Sequence, residues 1–199
     1  MMLIATKLQP PRVAEDYILR LRLYDLLERG RKRKLTLISA PAGYGKSSLV
    51  ASWLEASGFP HVWFSLDRSD DDVQQFITYL VAGIQQRFPE SCAQSAIVLQ
   101  SANLPPIPYI AANLVNDLEP ITEDVTIVFD DFHYIESSAI CDLLQELVRY
   151  LPKHIHLLLT ARHDPPLPLA RMRARHELCE IRMEHLCFTE EEASRFLQQ

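Results

Sequence analysis

Ser39-Ala40-Pro41-Ala42-Gly43-Tyr44-Gly45-Lys46-Ser47-Ser48 is the stretch that decides how this chain is read. It lies between Leu35-Thr36-Leu37-Ile38-Ser39, a buried-strand run, and Ser48-Leu49-Val50-Ala51-Ser52-Trp53-Leu54, whose apolar residues recur at helical spacing and end near Gly58 and Pro60. A loop so placed opens a helix N-terminus. Backbone N–H groups there point at an anion, Gly43 and Gly45 permit positive φ and close approach, and the helix dipole adds partial positive charge. The spacing matches G-x-x-x-x-G-K-S/T except at its first position, where Ala40 stands; a residue leaving a strand keeps negative φ, so alanine serves there. Ala42, Gly43, Tyr44, Gly45, Lys46, Ser47 and Ser48 then form a phosphate cradle, with Lys46 reaching the β- and γ-phosphates and Ser47 holding magnesium. A dinucleotide fingerprint fits worse, because Ser48 occupies the place of its third glycine and Lys46-Ser47 would have no task beside a pyrophosphate.

A second apolar run, Val125-Thr126-Ile127-Val128-Phe129, delivers Asp130 and Asp131 at its C-terminal end, where open α/β sheets bind ligands. Asp130 suits magnesium, directly or through water, and Asp131, one residue on, suits orienting and deprotonating an attacking water. A third run, His156-Leu157-Leu158-Leu159-Thr160-Ala161-Arg162, is expected beside the first. Thr160 suits a bond to phosphate or to the attacking water, and Arg162 a charge-assisted contact with the γ-phosphate; the plainer alternative turns Arg162 to solvent.

Between these runs strand and helix patterns alternate, with helices expected over about 72–87 and 137–151, so the sheet is mainly parallel and helix-covered. Asp70-Asp71-Asp72 reads as helix capping rather than a metal cluster. Leu104-Pro105-Pro106-Ile107-Pro108 and Asp164-Pro165-Pro166-Leu167-Pro168 read as surface loops, the second beside the nucleotide. With 199 residues, near-half apolar content and no repeat, the chain suits one α/β domain. It lacks a membrane-length apolar run and its first residues carry no signal-peptide core, so a cytoplasmic location without membrane contact is expected. Cys92, Cys141, Cys179 and Cys187 show no C-x-x-C spacing and are read as free thiols. A net charge of −6 and a pI near 5.6 argue against direct DNA binding by this chain. Arg31-Lys32-Arg33-Lys34 is read as a solvated helix-to-strand connection, while Arg171 and Arg175, one helical turn apart, suit a phosphate, a neighbouring domain or water.

Taken together, these motifs resemble the nucleotide-binding domain of MalT-like, ATP-dependent LuxR-type transcriptional activators, within the STAND class of P-loop NTPases. The likeness spans nearly the whole chain. It rests on the loop from Ser39 to Ser47, on Trp63-Phe64-Ser65-Leu66-Asp67, on Asp130-Asp131-Phe132-His133, and on the block from Thr160 through His163-Asp164-Pro165-Pro166-Leu167-Pro168-Leu169-Ala170 to Arg171. Alanine at the loop's first position is common in that family. The resemblance implies a three-layer α/β/α sandwich with a five-stranded sheet ordered 5-1-4-3-2, over residues 1–188, with 1–34 a helical lead-in. It implies binding of ATP or ADP with Mg2+, slow hydrolysis, and a place for Arg20 and Arg22 near the adenine. It further implies sensor and DNA-binding domains elsewhere in the full-length protein, and nucleotide-dependent self-association. Thr189-Glu190-Glu191-Glu192 is a capping box, read as the start of a further helical domain over 189–199. The competing reading is a free-standing P-loop ATPase or small-molecule kinase, for which an acceptor pocket and an Arg-rich lid would be needed.

Overall fold

The apolar runs become strands of one sheet, and all four pairings between them are parallel. A computed structural model describes residues 3–14, 16–101 and 103–198. Strands β1 (Leu35–Ser39), β2 (His61–Ser65), β3 (Val125–Asp130), β4 (Ile155–Ala161) and β5 (Leu178–Arg182) lie in the order β2-β3-β4-β1-β5, the expected 5-1-4-3-2 counted from the opposite edge. β5 has no apolar run to announce it, since as an edge strand it leaves Glu180 and Arg182 half-buried.

Helices cover both faces, which is why the inner strands are buried along their whole length. Strand side chains alternate between faces. Ile38, Val128 and Leu158 point to the side of α1 (Leu21–Arg31) and α2 (Lys46–Ser57), where Leu23, Leu27, Leu49 and Trp53 meet them. Leu37, Phe129 and Leu159 point the other way. There they join Phe76 and Tyr79 of α3 (Val73–Arg87), Leu114 of α5 (Ile107–Leu118), Leu144 of α6 (Ser138–Tyr150) and Met172 of α7 (Leu169–Ala174); α4 (Ala93–Leu99) packs at the margin through Ala96. Phe76 stacks on Phe129 at 5.4 Å and Tyr79 on Phe64 at 5.1 Å. Each such side chain contributes on the order of 1.5–3 kcal/mol by leaving water, so this aromatic row anchors β2 and β3 to α3.

The helix bounds follow local chemistry. Asp72 caps α3 by accepting from the Gln75 N–H at 2.8 Å, and Gly58 stops α2 at φ 66°. The first proline-rich stretch departs from its loop expectation, because Ile107 and Pro108 form the first turn of α5. Proline is tolerated there, where its missing N–H has no intrahelical partner. Of the three adjacent acids, Asp70 is fully buried against Lys7 at 2.6 Å and Asp71 accepts from the Glu136 and Ser137 N–H groups. Asp72 is thus a helix cap, as expected, while Asp70 and Asp71 hold other segments in place; no metal-holding group of His, Cys, Asp or Glu occurs among the described residues. Burial opposes the charge on Lys7, but hydrogen bonds to Asp67 and Asp70 outweigh it and raise its pKa, fixing the N-terminal turn Ala5–Leu8 beside edge strand β2. No helix among the described residues is long and apolar enough to cross a membrane.

Candidate functional site

Strand pleat and register bring the site together at the C-terminal ends of β1, β3 and β4. Asp130 and Thr160 lie on the same face as Ile38, the face on which α2 packs, so both meet the first turn of that helix. The Asp130 carboxylate is 5% exposed, and its Oδ1 accepts from Ser47 Oγ at 2.8 Å and from Thr160 Oγ1 at 2.5 Å. Thr160 Oγ1 accepts in turn from the Asp131 N–H at 2.9 Å. Burial pushes the Asp130 carboxyl above its ordinary value, and the hydrogen bonds from Thr160 and Ser47 pull back against that rise. A buried carboxylate fixed by two hydroxyls beside a helix start is a hard-oxygen cluster of the kind magnesium takes.

Gly43 and Gly45 adopt φ 86° and 69°, and a Cβ on either would meet nothing within 4 Å. Their glycines are thus required by backbone conformation rather than by crowding, and the loop opens onto free space. Lys46 closes the loop on itself, with Nζ donating to the Ala40 and Pro41 carbonyls at 2.9 and 3.0 Å. Burial lowers its pKa, while Asp131 and Asp130 raise it and Arg162 adds to the lowering.

Asp131 follows the strand in the left-handed region at φ 59°, a conformation that Asp and Asn accept more readily than other non-glycine residues. This turn frees its side chain, which is 41% exposed at the mouth of the cluster. His133, two residues on, has a side chain only 7% exposed and both ring nitrogens buried without a partner, its Nδ1 lying 3.6 Å from Asp131 Oδ1. Burial, then Arg162, His163 and Lys46, hold its pKa below the ordinary value against the pull of Asp131. A neutral imidazole therefore stands behind Asp131 with one donor and one acceptor to offer. The sequence names His133 within a motif but assigns it no task; its unpartnered nitrogens behind Asp131 are visible only in three dimensions.

On the other side of the loop lies an apolar cavity of about 390 Å³. Its walls come from Ala14, Tyr17 and Ile18 near the N-terminus, Gly43 to Gly45, and Leu186 to Phe188 with Phe196 near the C-terminus. The Tyr17 hydroxyl is buried without a hydrogen-bond partner, and burial pushes its pKa up to about 12. Arg20 also lines this cavity, but its Nη2 is spent on the Leu186 and Cys187 carbonyls at 2.6 and 3.0 Å. Arg22 does not line it. It grips the His185 and Cys187 carbonyls and both oxygens of Glu192, an acid that also completes the capping box with Thr189. Both arginines thus hold α8 (Met183–Leu186) and α9 (Glu190–Leu197) against the N-terminal segment.

The architecture is the three-layer, parallel-sheet fold of P-loop NTPases. The sequence is 35% identical over 196 residues to the HTH-type transcriptional regulators MalT of Klebsiella pneumoniae and of Cronobacter sakazakii, covering 98% of this chain and 22% of theirs. MalT of Yersinia pestis is 34% identical over 197 residues. The resemblance to MalT-like regulators drawn from the motifs thus holds over nearly the whole chain, which spans about a fifth of the length of these relatives. No family model matches the sequence. Among solved structures, a STAND ATPase with a tetratricopeptide-repeat sensor from Pyrococcus horikoshii superposes with a TM-score of 0.70 at 17% identity, over 95% of this chain and 26% of that one. A Walker-type ATPase of Pyrococcus abyssi follows the same fold with a TM-score of 0.58 at 18% identity, over 98% of this chain and 61% of that one.

Proposed function

We propose that this chain is the adenine-nucleotide switch of a larger transcription regulator, binding ATP or ADP with Mg2+ and hydrolysing ATP slowly. The observation that carries this reading is the Ser47–Asp130–Thr160 cluster, linked at 2.8 and 2.5 Å, at the foot of a positive-φ glycine loop that opens α2. Ala42 to Ser48 hold the phosphates, Ser47 and Asp130 hold magnesium, and Lys46 leaves its carbonyl partners for the β- and γ-phosphates. Bound magnesium supplies charge neutralisation for the phosphates. The apolar cavity beside Tyr44 takes the base. Its size and mainly apolar walls suit a flat ring, and the unpartnered Tyr17 hydroxyl offers one polar contact. Arg20 bounds that cavity, and Arg22 supports it through the α8–α9 segment.

Asp131 orients and deprotonates water, Thr160 fixes the Asp130–Asp131 pair, and Arg162 reads the γ-phosphate. Residues 1–188 form the switch domain, and α9 begins a following helical unit. Sensor and DNA-binding parts, and nucleotide-dependent self-association, belong to the full-length protein in its cytoplasmic setting; this chain does not itself bind DNA. Calorimetry with ADP and Mg2+ tests the assignment. Lys46→Ala is expected to lose at least about 2 kcal/mol of affinity, the scale of a charge-assisted contact left unmade. Equal affinity in wild type and variant would remove the loop from the binding site.

A further inference from the structure

Strand register sets three chain exits side by side: Ser39 pairs with Ala161 on one flank and with Arg182 on the other. The residues that follow are Arg162, the start of the glycine loop, and Met183 at the head of α8. Asp164 lies two residues past Arg162, on the β4 side, yet its carboxylate is gripped by both terminal nitrogens of Arg182, on the β5 side. In the order β4-β1-β5 this pair crosses the root of the glycine loop. Arg182 continues outward on both sides. Its guanidinium also holds Glu180, which Arg173 of α7 clamps at 2.7 and 2.9 Å, and its N–H donates to His185 Nδ1 of α8 at 3.0 Å. The carbonyls of residues 185–187 are those held by Arg20 and Arg22.

We propose that the Asp164–Arg182 pair is a strap that couples the γ-phosphate end of the site to the α8–α9 segment closing the apolar cavity. It rests on the nucleotide-switch reading. Asp164 and Arg182 are positioning residues: neither is a phosphate ligand, but a displacement of the Arg162 loop is carried by Asp164 to Arg182, and by Arg182 to the turn that seats His185. The alternative is a plain staple of the edge strand, which would affect stability without regard to which nucleotide is bound. A coupling role requires that the two ends bias one element, and α8–α9, which runs on from β5, is held by side-chain hydrogen bonds from Arg20 and Arg22 on one flank and through His185 to Arg182 on the other.

Hydrogen exchange across residues 183–197 separates the two. With Mg2+ and a non-hydrolysable ATP analogue, the wild-type segment is expected to exchange about fivefold faster than with Mg2+ and ADP, the lower range of allosteric couplings. Asp164→Asn, Arg182→Gln and the double variant should each bring that ratio to within about twofold of unity, the double no further than either single, because the two residues act as one contact. Arg173→Gln, which loosens Glu180 but leaves the strap, should keep the wild-type ratio. Calorimetric ADP affinity should stay within about threefold throughout, showing that the variants fold and bind. A wild-type ratio retained in Arg182→Gln and Asp164→Asn, or no ratio in the wild type despite binding of both nucleotides, overturns the strap and leaves the nucleotide reading standing. Failure of wild type to bind either nucleotide overturns both.

Discussion

The Ser47–Asp130–Thr160 cluster and the apolar cavity flank one glycine loop, yet they are built in opposite ways. The cluster draws on β1, β3, β4 and α2, elements locked into the sheet, and its polar atoms are paired with one another before any ligand arrives: Ser47 with Asp130, Thr160 with Asp130, the Asp131 N–H with Thr160. The cavity draws on the two ends of the chain, leaves the Tyr17 hydroxyl unpaired, and owes its closure to two arginines gripping carbonyls and Glu192. Preorganised groups suit chemistry, where reorganisation at the moment of reaction is costly. A wall held by side-chain hydrogen bonds suits a part that moves.

The largest effect expected from this contrast falls on hydrolysis. Asp131→Asn keeps a residue that accepts φ 59°, so the backbone stays in place while the carboxylate is lost. Single-turnover hydrolysis should fall by about a hundredfold or more, the usual range for a lost general base, with nucleotide affinity nearly unchanged. Fast wild-type turnover insensitive to this change would favour a free-standing enzyme over a switch. His133→Ala should slow hydrolysis in the same direction, since the imidazole stands behind Asp131; unchanged single-turnover rates would confine it to packing.

Asp130 sharpens the comparison in the next size range. Its folded-state pKa is raised by burial, so between the ordinary value of 3.8 and the raised one the fold binds more protons than the unfolded chain, and stability falls as pH rises through that window. Asp130→Asn removes that dependence. Thermal melts without nucleotide should show the variant equal to or more stable than wild type at neutral pH, while magnesium-dependent ADP affinity falls by about tenfold, one charge-assisted contact. A destabilised variant would mean that the cluster exists for folding, not for a cation.

The same contrast explains what the sequence could reveal. Val125 to Asp131 and Ser39 to Ser48 are contiguous, and strand period plus helix start place their side chains without knowledge of the rest. Thr160 and Arg162 follow from the strand beside them. The cavity has no such legibility, because Tyr17 and Phe188 meet across 171 positions of chain and are joined only when Arg20 and Arg22 find Glu192. Arg20 and Arg22 appear in the sequence reading through family resemblance alone, and the structure spends their guanidinium groups on the chain itself. β5 and the Asp164–Arg182 contact were equally hidden, one by its short half-buried pattern and the other by a cross-strand reach over β1.

A moderate effect is expected where the cavity's closure is loosened. Glu192→Gln leaves Arg20, itself 5% exposed, with carbonyl partners but no counter-charge. The cost should be about 1–2 kcal/mol, below the range for a buried pair broken outright, since Nη2 keeps its two carbonyl partners and only Nε loses the charge facing it at 3.4 Å. With the cavity proposed as the base site and the loop as the phosphate site, ADP affinity should drop more than pyrophosphate affinity. An equal drop for both ligands would place the clamp outside the base site.

The smallest effect comes from Tyr17, and it tests the unpaired side of the comparison directly. A buried hydroxyl with no partner costs roughly 1–3 kcal/mol in desolvation, so Tyr17→Phe should raise stability without ligand. If the hydroxyl meets a ring nitrogen or exocyclic amine of the base, the same change removes one hydrogen bond and lowers ADP affinity by less than about tenfold. The two shifts must have opposite signs, because one contact cannot be both absent in the free protein and irrelevant in the complex if it reads the base. Melting curves give the first sign and calorimetry the second. A more stable variant with unchanged ADP affinity would leave the cavity a base pocket of shape alone, with Tyr17 as wall, and a variant unchanged in both would show that its hydroxyl reaches solvent in the free protein.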